Sequence, residues 1–251
     1  MPARTVLLHV VPHPRASPGE VLAGLAHTGR HARRGEVLYR AGAPLRSIYA
    51  VRSGSFKSCV GLHDGRTQVT GFHTAGDVLG FDGLGNDLHT SEATALEDSE
   101  VGVVACSRLE EPGIQRQLRN ALSRELVRNR AIMLLLRSMT GEERIATFLL
   151  DLLQRLAMRL GRPPDELHLR MTRAEIGSHL GLSLETVSRL FTRLEDKGLV
   201  AVRKRDLRML DVPGLEALTS RHIPQRAPLR PWPRTVGIHS GAPMRADGHA
   251  S

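Results

Sequence analysis

The chain changes its hydrophobic period near residue 112. Between about residues 32 and 107, short runs such as VLYRAG, SIYAVRSG, QVTGFH and EVGVVAC alternate apolar and polar positions, and glycines separate them. Short strands bounded by turn residues are typical of an all-β sandwich or roll. Asp64-Gly65, in HDGRT, has the composition of a tight hairpin turn. The pattern predicts a β-roll over residues 25–111, preceded by a variable segment 1–24.

The segment 112–139 predicts one long helix. From Ile114 onward it has no glycine or proline, and its apolar residues recur at helical spacing. A narrow apolar stripe of this kind is typical of a two-stranded coiled coil. We therefore expect a dimer interface made of Leu118, Leu122, Leu126, Asn129, Ile132 and Leu136. The stripe could instead pack on the chain's own domain, and Asn129 could either fix the register of a seam or lie in solvent.

The pattern of residues 140–220 predicts a second domain, which contains helices and a pair of strands. GEERIATFLLDLLQRLAMRLG has helical period, two short helices follow, and LVAVRKRDLRMLDV alternates like two strands. From residue 221 the chain is rich in Pro, Arg, Gly and His and has no period. We expect this basic tail, 221–251, to be disordered.

The two short helices have the signals of a helix-turn-helix unit. Thr172 and Glu175 have capping-box spacing, which starts a helix near Arg173. Gly181 suits a turn with positive φ, and Ser183 can cap the next helix. That helix would bury Val187, Leu190, Phe191 and Leu194. Two short helices joined by a glycine-containing turn form the unit that places its second helix in the DNA major groove.

The second helix carries three side chains suited to reading base edges. Glu185, Ser188 and Arg189 lie at i, i+3 and i+4 and therefore share one face. Arginine can donate two hydrogen bonds to guanine, glutamate can accept one from cytosine, and serine can do either. An exposed ion pair between Glu185 and Arg189 would explain the same spacing without DNA.

Contacts with the DNA backbone are expected at the helix ends and at the hairpin that follows. Helix N-termini, hydroxyl groups and basic side chains bind phosphate and fix the register of the protein on the duplex. The candidates are Thr172, Arg173, Ser183, Thr186, Arg203 and Lys204. The basic turn RKRD, residues 203–206, would act as a wing, or else be an ordinary solvated turn.

The amino-acid composition limits the classes of partner that the chain can bind. The 251 residues include 35 Lys+Arg against 26 Asp+Glu, a formal charge of +9, which favours an anionic partner such as double-stranded DNA. Aromatic residues make up only 3%, which argues against base stacking. Two cysteines are too few for a disulfide framework or a four-thiolate cluster, and a cytoplasmic location fits. No apolar run approaches the roughly 20 residues that a membrane span needs.

Four stretches resemble the Crp-Fnr family of bacterial transcription regulators, most closely its Fnr branch. They are GEVLYRAG, SIYAVRSGSFKS, GFHTAGDVLGFDGLG and MTRAEIGSHLGLSLETVSRLFTRLEDKGLVAV, within about residues 25–215. The resemblance implies an α+β chain with a cyclic-nucleotide-binding-like β-roll, a dimerisation helix and a C-terminal winged helix-turn-helix. It also implies a non-enzymatic homodimer that binds TTGAT-N4-ATCAA-like palindromes and activates low-oxygen or nitrogen-oxide respiratory genes. The loop 80–85, including Asp82, would contact RNA polymerase.

The sequence departs from the family where a signal would be sensed. Residues 1–31 contain no cysteine, and Gly102 stands where Fnr has its internal cluster ligand, so we expect no iron–sulfur cluster. In cAMP sensors of the family, a glutamate binds the ribose and an arginine binds the phosphate. Phe81 and about Ser91 align with these two residues, so the phosphate would have no counter-charge, and we expect no cAMP binding. Asn129 replaces a seam carboxylate of Fnr, which predicts a constitutive dimer.

Two alternatives remain open. The first is a haem-dependent nitric oxide or redox sensor of the same DNA-binding family, with His73 among the candidate ligands. The second is a cupin-type metal-binding enzyme, because the β-roll contains His63, His73, His89 and Glu92. These four residues are scattered and lack the convergent spacing of a metal site. No cofactor is therefore predicted from the sequence.

Overall fold

The computed structural model describes residues 18–219, which form six α-helices and eleven strands. The helices are α1 (Pro18–Leu25), α2 (Pro112–Ser138), α3 (Gly141–Leu160), α4 (Arg173–Leu180), α5 (Leu184–Asp196) and α6 (Val212–Thr219). The strands are β1 (Thr28–Ala32), β2 (Val37–Tyr39), β3 (Ser47–Ser53), β4 (Ser55–Gly61), β5 (Thr67–Thr74), β6 (Val78–Leu79), β7 (Glu92–Ala95), β8 (Ser99–Ala105), β9 (Glu166–His168), β10 (Val200–Arg203) and β11 (Asp206–Met209). The predicted basic tail lies outside the described residues.

The first eight strands form the predicted β-roll from two antiparallel sheets. Their strand orders are β1-β8-β3-β6 and β2-β7-β4-β5. Side chains from both sheets, such as Val51, Phe56 and Val101, share one apolar core. The predicted hairpin turn is confirmed between β4 and β5, where Gly65 has φ +79° and Asp64 accepts a hydrogen bond from the Arg66 N–H. Strand β5 lies at the edge of its sheet, so one side of its backbone has no strand partner.

Most of helix α1 lies within residues 1–24, for which the sequence predicts a variable segment and no helix. Leu22 is fully buried, and it packs in one cluster with Ile48 of β3 and Ile114 of α2. The helix lies directly over Gly102 of β8, where an added Cβ would come 3.1 Å from Cα of Ala23. Eight residues give fewer than three helical turns, which is too short for the apolar period to be recognised in the sequence.

The long helix is confirmed as a single element of 27 residues, α2, which begins with Pro112. Proline is favoured in the first turn because its fixed φ suits the helix and its missing N–H is not needed there. After α2 the backbone is extended at Met139 and Thr140, and α3 begins with a capping box between Thr140 and Glu143. Only two non-helical residues therefore separate the two long helices.

The C-terminal domain contains the predicted helices and strand pair together with two further elements. Strand β9 pairs with β11, Leu167 opposite Leu207, and completes a three-stranded sheet with order β10-β11-β9. Helix α6 packs on α3 and buries Leu215. Strand β9 has only three residues, too few to show an alternating pattern, so the sequence does not predict this strand. Within residues 18–219, no helix has the length and hydropathy needed to cross a membrane.

Candidate DNA-binding site

The helix-turn-helix unit has the predicted caps and turn. The Oγ1 atom of Thr172 accepts a hydrogen bond from the Glu175 N–H, and the Glu175 carboxylate accepts one from the Thr172 N–H at 2.7 Å. Gly181 has φ +65° at the end of α4. Ser183 then accepts a hydrogen bond from the Thr186 N–H and begins α5. These local contacts fix the angle at which α5 leaves α4.

Helix α5 is strongly amphipathic. Its buried side consists of Val187, Leu190, Phe191 and Leu194, as predicted. The opposite side presents Glu185, Ser188 and Arg189 together to solvent. Leu184 lies beside them and is 55% exposed. Leu184 is not among the predicted site residues, although its place next to the Ser183 cap and outside the buried stripe is a usable signal. A large exposed apolar side chain here could contact a thymine methyl group.

The three polar side chains already have hydrogen-bond partners within the helix. An Nη2 atom of Arg189 lies 2.6 Å from an Oε1 atom of Glu185, and the two side chains are 78% and 72% exposed. This is the ion pair that would explain the spacing without DNA. Exposed pairs of this kind contribute little and are easily exchanged for another partner. The Ser188 hydroxyl donates to the Leu184 carbonyl at 2.9 Å, which leaves its lone pairs free to accept.

The expected backbone contacts lie around α4, α5 and the β10–β11 hairpin. Thr172 and Ser183 are exposed caps, and the hydroxyls of Ser183 and Thr186 lie 2.8 Å apart. Arg173 is only half-exposed, because its guanidinium lies 3.3 Å above the ring of Phe191. Its Nη1 atom is buried and has no hydrogen-bond partner among the described residues. An N–H group of Arg173 is therefore still unused.

The hairpin turn joins β10 to β11 through Lys204 and Arg205. Arg203 and Lys204 are exposed, and Lys204 has φ +60°. Side chains other than glycine, asparagine and aspartate rarely occupy this left-handed region. The turn therefore presents a lysine at its tip in a conformation that glycine would adopt more easily.

The stripe predicted as a dimer seam is divided in the structure. Leu122, Leu126, Asn129 and Met133 lie exposed at i, i+4, i+7 and i+11, which is coiled-coil spacing. Leu118 instead packs against the apolar cluster under α1 that contains Leu22. Leu136 packs against the apolar core of the C-terminal domain. Ile132 is half-buried beside β5. Met133, which is 60% exposed, is missed because the uninterrupted run IMLLL shows no period.

Asp82 is turned into the β-roll. Its Oδ2 atom accepts hydrogen bonds from the backbone N–H groups of Thr90 and Ser91, both at 2.8 Å, and from the Ser91 hydroxyl. Its other oxygen lies 3.3 Å from Nδ1 of His89, which is buried. Burial alone would raise the pKa of Asp82, but the hydrogen bonds from Ser91 and His89 lower it overall. The polymerase contact at Asp82 stays a prediction, and the exposed residues that follow it are Gly85, Asn86, Asp87 and Leu88.

The histidines raised in the alternatives do not converge. His73 is buried, with Nε2 2.9 Å from the Ser58 hydroxyl and Nδ1 without a partner among the described residues. The cavity beside it, between β5, α2 and α3, has a volume of about 40 Å³. That volume holds a few water molecules at most and is too small for a porphyrin. Over residues 18–219, no three His, Cys, Asp or Glu side chains are grouped to hold a metal ion.

The two cysteines are not paired with each other. Cys59 is buried in the apolar core, and Cys106 is half-buried with Sγ 3.7 Å from the Leu45 carbonyl. Burial raises the pKa of both thiols, which therefore stay protonated and poorly nucleophilic. Both behave as small apolar side chains.

A β-roll joined by a long helix to a capped helix-turn-helix with an exposed polar face defines a DNA-binding transcription regulator. Residues 143–218 match the family model of the Crp-like helix-turn-helix domain, and residues 29–111 match that of the cyclic nucleotide-binding domain. The chain belongs to the Crp/Fnr family of transcription regulators. The predicted fold class and the predicted DNA-binding function are thereby confirmed.

Several relatives are similar over most of their length. The transcriptional regulatory protein btr of Bordetella pertussis is 44% identical over 190 residues, which are 74% of this chain and 78% of that protein. The transcriptional activator protein FnrA of Stutzerimonas stutzeri is 39% identical over 204 residues, 79% and 83% of the two chains. Among solved structures, FixK2 from Bradyrhizobium japonicum superimposes with a TM-score of 0.69 and 34% identity, covering 76% of this chain and 96% of FixK2.

Proposed function

We propose that this regulator acts as a cytoplasmic homodimer on palindromes of the TTGAT-N4-ATCAA kind and activates low-oxygen or nitrogen-oxide respiratory genes. The observation that carries the DNA half of this proposal is the shared, exposed face of Glu185, Ser188 and Arg189 on a capped helix. Relatives named transcriptional activator FnrA and fumarate and nitrate reduction regulatory protein support the class of genes. RNA polymerase would meet the loop 80–85, which includes Asp82.

The side chains exchange their internal partners for base edges. Arg189 leaves Glu185 to donate two hydrogen bonds to a guanine, and Glu185 accepts from a cytosine N4 amino group. Ser188, whose proton is held by the Leu184 carbonyl, acts as an acceptor. The methyl groups of Leu184 contact a thymine methyl. The three polar groups thus read a G·C pair and its neighbours, and Leu184 adds a preference for thymine.

The exposed apolar residues of α2 support the proposed dimer. Leu122, Leu126 and Met133 expose 38%, 54% and 60% of their surface along one line of the helix. Pairing two copies would remove this surface from water, and the neutral Asn129 places no like charges in the seam. The proposal therefore includes a dimer that forms without a ligand. Sedimentation of aerobic, ligand-free protein across micromolar concentrations should show mainly dimer, whereas mainly monomer would contradict it.

Base reading is tested by Arg189→Ala. We expect a loss of about 1–3 kcal/mol per half-site on the palindrome, because an arginine–guanine pair is removed. The matched control is Arg193→Ala, which removes the same charge from an exposed position one turn further along α5. Affinities of both variants are measured by fluorescence anisotropy on the palindrome and on a scrambled duplex of equal length. An equal loss on the two duplexes for Arg189→Ala would contradict base reading.

A further inference from the structure

The first helix of the helix-turn-helix unit is docked on the edge of the β-roll. Strand β5 is an edge strand, so the outward N–H of Val69 has no strand partner. That N–H donates to the Oγ atom of Ser178 in α4 at 2.9 Å. The side-chain amide of the adjacent Gln68 donates to the Ser178 carbonyl. A helix residue therefore takes the place of a neighbouring strand.

A second contact holds the other end of α4. Lys57, on β4, lies 2.7 Å from Glu175, and the two side chains are only 25% and 20% exposed. Glu175 is also the carboxylate of the capping box that begins α4. The β-roll thus contacts α4 at its first turn through Lys57 and at its last turn through Val69.

Apolar packing fills the space between these polar contacts. The ring of His179, the residue after Ser178, lies edge-on to Phe72 of β5, with centroids 5.2 Å apart. Val69 and Phe72 are buried in the same cluster as Ile176 and Leu180 of α4. The part of β5 that bears Val69 and Phe72 is therefore packed into the apolar cluster of the DNA-reading unit, whereas the interior of the β-roll forms a separate cluster.

The docked arrangement leaves the reading face of α5 open. Glu185 and Arg189 remain more than two-thirds exposed while α4 is docked. The contact therefore does not cover the residues that read DNA. Its physical effect is to fix the position and angle of α5 relative to the β-roll and, through α2, relative to the second copy.

We propose that Lys57, Gln68, Val69, Glu175 and Ser178, here called the α4 clasp, set the half-site spacing that the dimer accepts. This inference rests on the proposed palindrome-binding dimer. Each base pair added between half-sites rotates one of them by roughly 35° and displaces it by about 3.4 Å. Two reading helices held by their β-rolls cannot follow such a change. Reading units released from the clasp keep the Asp77–Arg155 and Glu97–Arg170 ion pairs to the β-roll but lose the restraints on α4, and we expect them to follow it.

The test compares wild type with Lys57→Glu, which places two carboxylates together at the clasp. Both proteins, as full-length dimers, are titrated with palindromes that have the preferred spacer, one base pair fewer or one base pair more. We expect wild type to lose about tenfold or more in affinity at the altered spacers. The variant should lose less than about threefold, and its affinity for the preferred spacer should fall, because a loosely held second unit has a lower effective concentration.

Arg40→Glu is the matched control. It changes the charge by the same amount and opposes Glu92, which also lies on the β-roll, so the ion pair that it breaks does not involve the DNA-binding domain. It should keep the spacer selectivity of wild type, and Lys57→Arg should restore that selectivity. If Lys57→Glu does not fold, Gln68→Ala combined with Ser178→Ala removes the polar contacts at the last turn of α4 without adding charge, and leaves the Lys57–Glu175 pair in place.

The possible outcomes separate the clasp from the proposed function. Unchanged spacer selectivity in both clasp variants would overturn the clasp while leaving palindrome binding intact. Tighter binding by the variants at every spacer would also overturn it, because the contact would then be inhibitory. A wild type that ignores the palindrome at every spacer would overturn the proposed function and the clasp with it.

Discussion

Replacing Asp77 by asparagine should loosen the junction of the three main parts of the molecule. Asp77 follows β5, and one of its oxygens lies 2.9 Å from Arg128 of α2. The other lies 3.3 Å from Arg155 of α3 and accepts a hydrogen bond from the Thr74 N–H. Burial alone would raise the pKa of Asp77, but Arg128 and Arg155 outweigh it, and the pKa lies far below its usual range. The carboxylate is therefore charged at neutral pH.

The magnitude follows from what asparagine keeps and what it loses. Its amide oxygen can still accept from the Thr74 N–H, but the counter-charge for two arginines is gone. Removing one partner of a buried ion pair costs about 3–5 kcal/mol. Arg128 keeps Glu125 at 3.4 Å and Arg155 keeps Asp151 at 2.6 Å. We therefore expect about 2 kcal/mol, roughly half of the full penalty.

Urea unfolding at pH 7, followed by circular dichroism at one fixed dimer concentration, measures this loss. Amide hydrogen exchange should become faster in residues 67–79, 124–135 and 151–158. The control is Asp64→Asn, in the exposed β4–β5 turn, which should leave the midpoint unchanged. The pKa of Asp77 is 3.8 in the unfolded chain and lower in the folded protein. Its contribution to the free energy of unfolding is therefore fully present above about pH 3.8. It is lost as the pH falls through the folded pKa. An Asp77→Asn protein with the wild-type midpoint at pH 7 would refute the reasoning.

Two further substitutions test buried and exposed sites. Burial lowers the pKa of His179 from 6.5 to about 4, so the unfolded chain takes up a proton first as the pH falls. Stability should drop by about 3 kcal/mol between pH 6.5 and pH 4, and His179→Gln should drop less over the same range in urea titrations. Lys204→Gly should raise the melting temperature, since glycine adopts φ +60° without strain, yet flatten the salt dependence of DNA binding by about one unit. A variant with an unchanged salt slope would show that the wing tip does not touch phosphate.

The elements that the sequence predicts well are those whose signals are local. The cap at Thr172 and the cap at Ser183 each join two residues that are three positions apart, and the positive φ of Gly181 belongs to a single residue. The Asp64-Gly65 turn is equally local. Such signals act through the backbone of one turn, so the surrounding fold does not need to be known. The shared face of Glu185, Ser188 and Arg189 follows directly, since helical spacing alone places these three residues together.

The contacts that the sequence does not predict join residues far apart in the chain. Ser178 and Val69 are separated by 109 positions, and nothing in either segment indicates the other. The same holds for the seam, because the helical period of α2 does not say which apolar residues face the β-roll. Leu118 and Leu136 are covered by the chain itself, whereas Leu122 and Leu126 are not. Which apolar residues of α2 are covered is decided by the packing of α1 and of the C-terminal domain against that helix.

Gly102 limits how this regulator could acquire a different sensor. The backbone of α1 passes so close to it that a cysteine at this position would push the helix away from β8. Displacing α1 would also uncover Leu22, which is wholly enclosed. A thiol introduced there by one substitution would therefore displace the N-terminal helix before it could serve as a ligand. Any descendant of this chain that gained a ligand at this position would have to rebuild the first helix at the same time.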